Sequence, residues 1–211
     1  MGRILAALGC ALILAAWGGL AAAEPMEDVD YVLIPPQPGA GGGRIEVIEF
    51  FYYGCDSCYR FEPTLAAWLR NLAPDVSFRR VPALRRMEWV PLTRLYFALE
   101  EIGALDRLHG EAYKAFHEKG INLGDSGELV KWAEMNGLER ARFEKILNSE
   151  SIGAKVQQAR DTTVAYGIRA TPSIVVDGRY LTSGGMLGSL DALLPTVDGL
   201  IDKARKERTA K

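Results

Sequence analysis

The chain is 211 residues long and close to charge balance, with 25 Lys and Arg against 27 Asp and Glu and a formal net charge of −2. Both signs are interspersed along it, which excludes the basic footprint of a nucleic-acid binder and a polybasic membrane patch. Three cysteines are too few for a disulfide-stapled scaffold, and the length suits one domain with a proper core, with room for an insertion.

The first element reads as an export signal. Arg3 precedes an apolar run from Ile4 to about Leu20, and Ala21-Ala22-Ala23 fits a small-x-small cleavage site before Glu24. The run is at the short limit for spanning a bilayer and is interrupted by Gly9, Gly18 and Gly19, so cleavage is expected rather than anchoring. A lipidated Cys10 would leave too few apolar residues upstream. Removal of residues 1–23 takes Cys10 away and leaves Cys55 and Cys58 as the cysteines of a mature chain of about 188 residues. A single bridge closing so short a loop restricts the unfolded chain very little, so the pair reads as reactive rather than structural. No metal is expected: tetrahedral zinc wants four ligands, and His109 and His117 lie far along the chain without metal spacing.

From Glu24 to Gly43, prolines and glycines confine regular structure to a short edge strand at Tyr31–Ile34. Arg44 to Tyr52 is a β-branched and aromatic run that suits a buried central strand, stopped at Gly54. A helix from Cys58 to Leu72 follows, with Pro63 expected to kink it, and then a strand from Val76 to Pro82. Between about Val90 and Tyr166 the periodicity is helical. One face carries Leu92, Leu95, Tyr96, Leu99 and Ile102; a second carries Leu108, Ala112, Tyr113 and Phe116; a third carries Leu129, Trp132 and Ala133. Asp125 or Ser126 is placed to cap the third helix and Gly137 to end it. Phe143, Ile146 and Leu147 mark another helix, and Val156, Ala159 and Val164 line a longer one ending at Gly167. Strands return at Ser173–Val176 and Arg179–Thr182 around Asp177-Gly178, a strong hairpin signal because both turn positions need positive φ. A last helix is expected from Leu187 to about Arg205, with Ser189 a cap candidate and Pro195 an awkward interior residue. Strands separated by a helix-only block predict an α/β domain with a helical insertion.

The chemistry concentrates at Cys55-Asp56-Ser57-Cys58. This dithiol sits where a strand gives way to a helix, so its first sulfur lies near the positive end of the helix dipole and near unpaired backbone N–H groups, which favour thiolate. Cys55, nearer the surface, reads as the nucleophile, and Cys58, one turn in, as the resolving thiol. Far along the chain, Thr171-Pro172-Ser173 opens the hairpin; a proline there is often structural, since the first strand position loses no ladder bond. His109, His117, Trp68, Trp89 and Trp132 read first as packing or surface residues, and Tyr53 and Tyr59 flank the dithiol with either a groove-lining or a packing role.

The combination of Glu49-Phe50-Phe51-Tyr52-Tyr53-Gly54-Cys55-x-x-Cys58, the helical block and Ala170-Thr171-Pro172 resembles the DsbA family of exported thiol–disulfide oxidoreductases over nearly the whole mature chain. The resemblance implies an α/β thioredoxin fold over residues 44–84 and 167–208, an all-helical insertion over 85–166 beside the active site, and an N-terminal strand and linker over 24–43. It implies a cis Pro172 against the dithiol, with Thr171 offering backbone groups to an extended substrate. It places Glu49 where the fold often keeps a buried acid under the second cysteine, able to take the Cys58 proton; the alternative is a solvent-facing strand glutamate. It implies oxidation of reduced exported proteins in the periplasm by a monomer, with no cofactor beyond the Cys55–Cys58 disulfide, and a DsbB-like, quinone-linked membrane reoxidase. The alternatives are a reductase or isomerase and, from a different class, a dithiol that carries a soft ion such as Cu(I). Family members usually carry Pro-His between the cysteines. Asp56 and Ser57 therefore predict a higher Cys55 pKa and a less oxidising couple, because a cation is lost and a like charge gained.

Overall fold

The computed structural model describes residues 24–37 and 42–210, and the expected export signal with Cys10 lies outside them. Among the described residues no helix is long and apolar enough to cross a membrane. A five-stranded mixed sheet runs in the order β1-β5-β4-β2-β3, with β1 at Val32–Leu33, β2 at Ile45–Phe51, β3 at Val76–Pro82, β4 at Ser173–Val176 and β5 at Tyr180–Ser183. β2 pairs parallel with β3 and antiparallel with β4, so it is hydrogen-bonded on both sides. Its alternation divides the protein. Ile48 and Phe50 enter a core shared with Val81, Ala159 and Tyr166, whereas Ile45 and Val47 face Phe61, Leu65 and the C-terminal helix. On that second face the next two positions are Glu49 and Phe51.

The crossover from β2 to β3 is helix α1, Asp56–Leu69, which continues through Pro63 at the loss of the one hydrogen bond proline cannot donate. Between β3 and β4 come a 3₁₀ turn at Met87–Trp89 and five helices: α2 Val90–Ile102, α3 Leu105–His117, α4 Ser126–Met135, α5 Arg140–Leu147 and α6 Glu150–Ala165. Their stops and starts follow local chemistry. Asp125 accepts from the N–H groups of Gly127 and Glu128, Ser149 accepts from Ile152, and Gly137 sits at φ 81° just past α4. In the β4–β5 turn Asp177 and Gly178 have φ of 53° and 66°, as the hairpin signal requires.

Two sequence expectations change. Val164 is 72% exposed rather than lining the core, because the buried face of α6 runs Val156, Ala159, Thr163 at helical spacing and Val164 falls one residue beyond it. The expected last helix is two pieces. A short α7, Gly184–Leu187, is capped by Ser183, and α8 runs from Leu193 to Thr209. Pro195 therefore sits in the first turn of α8, where its missing N–H would have had no helical partner, and Ser189 caps a turn by accepting from Asp191.

Candidate active site at the dithiol

The C-terminal end of β2 and the start of α1 plug into the helical block. Phe51, Tyr53 and Cys58 share one apolar cluster with Leu92, Leu95, Tyr96, Leu108 and Tyr113. Phe51 meets Tyr53, Tyr96 and His109 edge-on, each at 5.2 Å between ring centroids. Such pairs contribute on the order of 1 kcal/mol each beyond burial, which fixes the chain direction entering the dithiol. Gly54 is needed there for space: a Cβ would meet the Tyr52 ring at 2.5 Å, and that ring is held by stacking on Trp89 at 4.0 Å.

Cys55 is the N-cap residue of α1, with extended backbone, and its thiol is partly accessible. The Cys58 side chain is fully buried one turn in, and both cysteines are free thiols. The Thr171–Pro172 peptide bond is cis, and the Cys55 Sγ donates to the Thr171 carbonyl oxygen at 3.2 Å. A strand-to-helix junction and a loop 116 residues further on thus meet at one sulfur. The two thiols are driven apart electrostatically. Cys55 is lowered from 9.0 to about 6, first by a hydrogen bond from the Cys58 thiol, against the opposing effect of burial, with further help from Thr171 and the N–H groups of Cys58 and Ser57. Burial pushes Cys58 well above 9.0, reinforced by its bond to Cys55.

The two residues between the cysteines make different contacts. Asp56 is exposed and pairs with Arg60 one turn on, at 2.8 Å, so its repulsion on the neighbouring sulfur is offset. Ser57 acts on Cys55 through its backbone N–H, and its hydroxyl makes no hydrogen bond among the described residues.

Glu49 is 1% exposed. The β2–β3 register sets it opposite Arg80, whose Nε donates to Glu49 Oε2 at 2.9 Å, while Oε1 has no partner. Burial raises its carboxyl from 4.5 to about 7, outweighing Arg80. Arg80 also reaches Glu62 at 2.8 Å, and Glu62 lies 3.4 Å from His109 Nε2, whose other ring nitrogen is 2.8 Å from the Tyr53 hydroxyl. Burial raises Glu62, yet hydrogen bonds and charge from His109 and Arg80 outweigh it and hold the carboxyl below 4.5; burial also lowers His109 from 6.5, against the pull of Glu62. This Arg80, Glu62 and His109 layer was not anticipated from sequence. One signal was available: Glu62 is four residues after Cys58 and so shares its helix face.

His117 is a packing residue, stacked on Tyr59 at 4.8 Å with its Nε2 donating to the Tyr53 carbonyl at 2.7 Å. Tyr53 is buried among the rings of the helical block, whereas Tyr59 lines a cavity of about 660 Å³ with Pro63 and Leu105. Trp132 is core, and Trp68 bonds Asp198 of α8 at 2.8 Å. A groove of about 580 Å³ instead runs from Ser57 and Phe61 past Thr171 and Pro172 to Gly185 and Leu190. Among the described residues no group of three His, Cys, Asp or Glu could hold a metal ion.

A reactive dithiol at a helix start, a cis-proline loop against its first sulfur and a thioredoxin-type sheet with a helical insertion define a thiol:disulfide oxidoreductase. Comparison with known proteins narrows the class. Residues 80–193 match the family model described as a DSBA-like thioredoxin domain. The thiol:disulfide interchange protein DsbA of Azotobacter vinelandii is 36% identical over 176 residues, 83% of this chain and 82% of the relative. That of Pseudomonas syringae pv. tomato is 33% identical over 202 residues, 94% of each. The crystal structure of Pseudomonas aeruginosa DsbA superposes with a TM-score of 0.82 at 31% identity, covering 88% of this chain and 97% of that one. The chain belongs to the DsbA family.

Proposed function

We propose that this protein oxidises reduced exported proteins in the periplasm, passing its Cys55–Cys58 disulfide to them. The observation that carries the reading is the accessible, acidic Cys55 held at the Thr171 carbonyl, with Cys58 buried behind it. A substrate thiolate attacks the Cys55 sulfur, the Cys55–Cys58 bond breaks, and Cys58 departs with the electron pair. A buried thiolate of such high proton affinity needs a proton at once, and Glu49, raised to about 7, is protonated enough to supply it. A second substrate thiolate then attacks the substrate sulfur of the mixed disulfide. Cys55 leaves as thiolate, the substrate disulfide forms, and the low Cys55 pKa makes that departure fast. Run backwards, Cys58 gives its proton to Glu49 as it attacks a mixed disulfide.

A first-cysteine pKa of about 3.5 is the mark of the Pro-His archetype of this family. The value of about 6 here supports a couple that is less oxidising, as the Asp56-Ser57 pair suggested, although through the hydrogen-bond inventory of the thiolate rather than through Asp56. The groove beside Pro172 supports binding of an extended polypeptide there, Thr171 supplying backbone groups. The chain acts as a monomer without cofactor, and a DsbB-like membrane protein restores the disulfide. Residues 85–166 are read as the inserted unit between thioredoxin-fold segments 44–84 and 167–208.

Oxidative refolding of a reduced multi-cysteine protein, with thiol trapping of the Cys55–Cys58 pair in cells, tests this. Catalysed refolding and a mostly disulfide pair are expected. A mostly dithiol pair with insulin-reducing activity would make it a reductase or isomerase, and no activity in either assay would leave the dithiol a soft-metal carrier.

A further inference from the structure

The loop that carries Thr171 has a second opening, unlike the first in charge. A cleft of about 340 Å³ is lined by Arg85, Arg160 and Arg169 over an apolar floor that includes Leu84, Val164 and Ile168, and no carboxylate lines it. Arg85 ties it to the active site, because its guanidinium donates to the Arg169 carbonyl and so joins the β3–α2 connection to the segment two residues before Thr171. Arg160 and Arg169 are exposed and have no ion-pair partner among the described residues. Neighbouring cations differ: Arg86 faces Glu88, Lys155 faces Glu100, and Arg80 faces two carboxylates. In a chain of net charge −2, a cleft with three guanidiniums and no acid is a local concentration of charge. Val164, 72% exposed in its floor, is the residue that the core of α6 left out.

We infer that this cleft selects among substrates, favouring unfolded segments with acidic residues a few positions from the reacting cysteine. The inference rests on the oxidation of polypeptide substrates proposed above. An extended chain advances about 3.3 Å per residue, so a segment with its cysteine at Cys55 and its backbone along Thr171 carries a residue roughly two to four positions away toward Arg169. A guanidinium fork takes a carboxylate with two parallel hydrogen bonds, and the apolar floor accepts the methylenes of Glu or a neighbouring aliphatic side chain. Free guanidiniums also raise the encounter rate of acidic segments, an effect that salt weakens. The cleft thus adds a charge filter to a groove whose contact at Thr171 is with backbone and blind to sequence.

Three dithiol peptides of equal length test this, identical except for residues flanking one cysteine, set to Glu, Gln or Lys. The readout is kcat/KM for their oxidation by the protein at low and high salt. The Glu peptide is expected to exceed the Lys peptide about tenfold at low salt, shrinking to about threefold or less near 1 M salt. In an Arg160→Gln/Arg169→Gln double variant the Glu-to-Lys ratio is expected to fall to about twofold. That ratio is internal to each protein, so a general loss of activity does not enter it. A ratio near one in the unaltered protein, a ratio indifferent to salt, or one kept by the double variant would overturn the cleft while leaving the oxidase reading intact. Oxidation of none of the peptides would bring down both.

Discussion

Cys55 sits half-open at the start of α1, surrounded by donors that favour its thiolate, whereas Cys58, three residues further on, is sealed among aromatic rings with a carboxyl group and a tyrosine nearby. The same chemical group is pushed to about 6 in the first setting and well above 9.0 in the second. The hydrogen bond between the sulfurs belongs to both effects, since the proton on Cys58 is what stabilises the charge on Cys55. Position along a single helical turn is therefore enough to split two thiols into a leaving group and a proton-hungry partner. Behind Cys58 the split is sustained by ionisable groups that are themselves buried, in the layer of Glu49, Arg80, Glu62 and His109.

Exchanging the sulfurs is the strongest way to break the comparison. Cys55→Ser is expected to lower thiol oxidation roughly a thousandfold or more. Cys58→Ser keeps the reactive sulfur and, offered a disulfide-bonded substrate, attacks it and accumulates the mixed disulfide that no second thiol resolves, visible by mass spectrometry; a Cys58→Ser protein that forms none would contradict the assignment of roles.

Removing the cation of the buried layer comes next. Arg80 bridges Glu49 and Glu62, and its side chain is 17% exposed. Arg80→Met strands two carboxyl groups in the interior, so denaturant unfolding at neutral pH should show a loss of about 3–5 kcal/mol. Acidification should recover part of it as the carboxyl groups protonate, and a loss that is the same at every pH would show that Arg80 acts by packing alone.

Glu49→Gln is smaller in stability and more specific in kinetics. Attack of a substrate thiolate on the Cys55–Cys58 disulfide, and its reverse, the resolution of a mixed disulfide by Cys58, should both slow by about a hundredfold, as expected when a positioned acid–base group is lost, with little change in the later step that releases Cys55. The folded protein binds the Glu49 proton more tightly than the unfolded chain, with a pKa of about 7 against 4.5. Its contribution to stability is therefore complete below about 4.5, declines as pH rises towards 7, and is constant above that. The Gln variant lacks this decline and should gain on the parent across that window by up to about 3 kcal/mol. A parallel pH dependence of the two proteins would mean that Glu49 titrates normally.

The smallest effect is expected at Asp56. Its pairing with Arg60 is exposed, so Asp56→Asn should move the Cys55 pKa by less than about half a unit. A larger fall would restore the like-charge repulsion that the residue's position next to Cys55 first suggests.

The strands, the hairpin turn, most helix ends and the dithiol were legible in the sequence because each rests on local signals: alternation, Asp-Gly, Asp and Ser caps, Gly stops. Pro195 and Val164 were misjudged for one reason, that a shift of a helix start or face by one or two residues changes what a position does without altering the periodic pattern. The partner of Cys55 at Thr171 depends on a contact spanning 116 residues, and only family resemblance suggested it. The buried layer was harder still. Nothing in Arg79-Arg80 says which arginine turns inward until the β2–β3 register sets Arg80 against Glu49 and Arg79 against Ile48. Arg79 ends in a more exposed pair with Glu46.

The division between the two sulfurs is tested most directly by titrating the thiolate ultraviolet absorbance of the reduced protein, with Cys58→Ser and Cys55→Ser variants alongside. One thiolate should appear in a step centred near pH 6, vanish in Cys55→Ser, and be followed by no second step until well above pH 9. Because the Cys58 thiol is the first cause of the lowered value, the step should move upward when Cys58 is replaced by a residue that donates less well, such as Ala. Two thiolates rising together between pH 8 and 9, as in an ordinary exposed dithiol, would contradict the account.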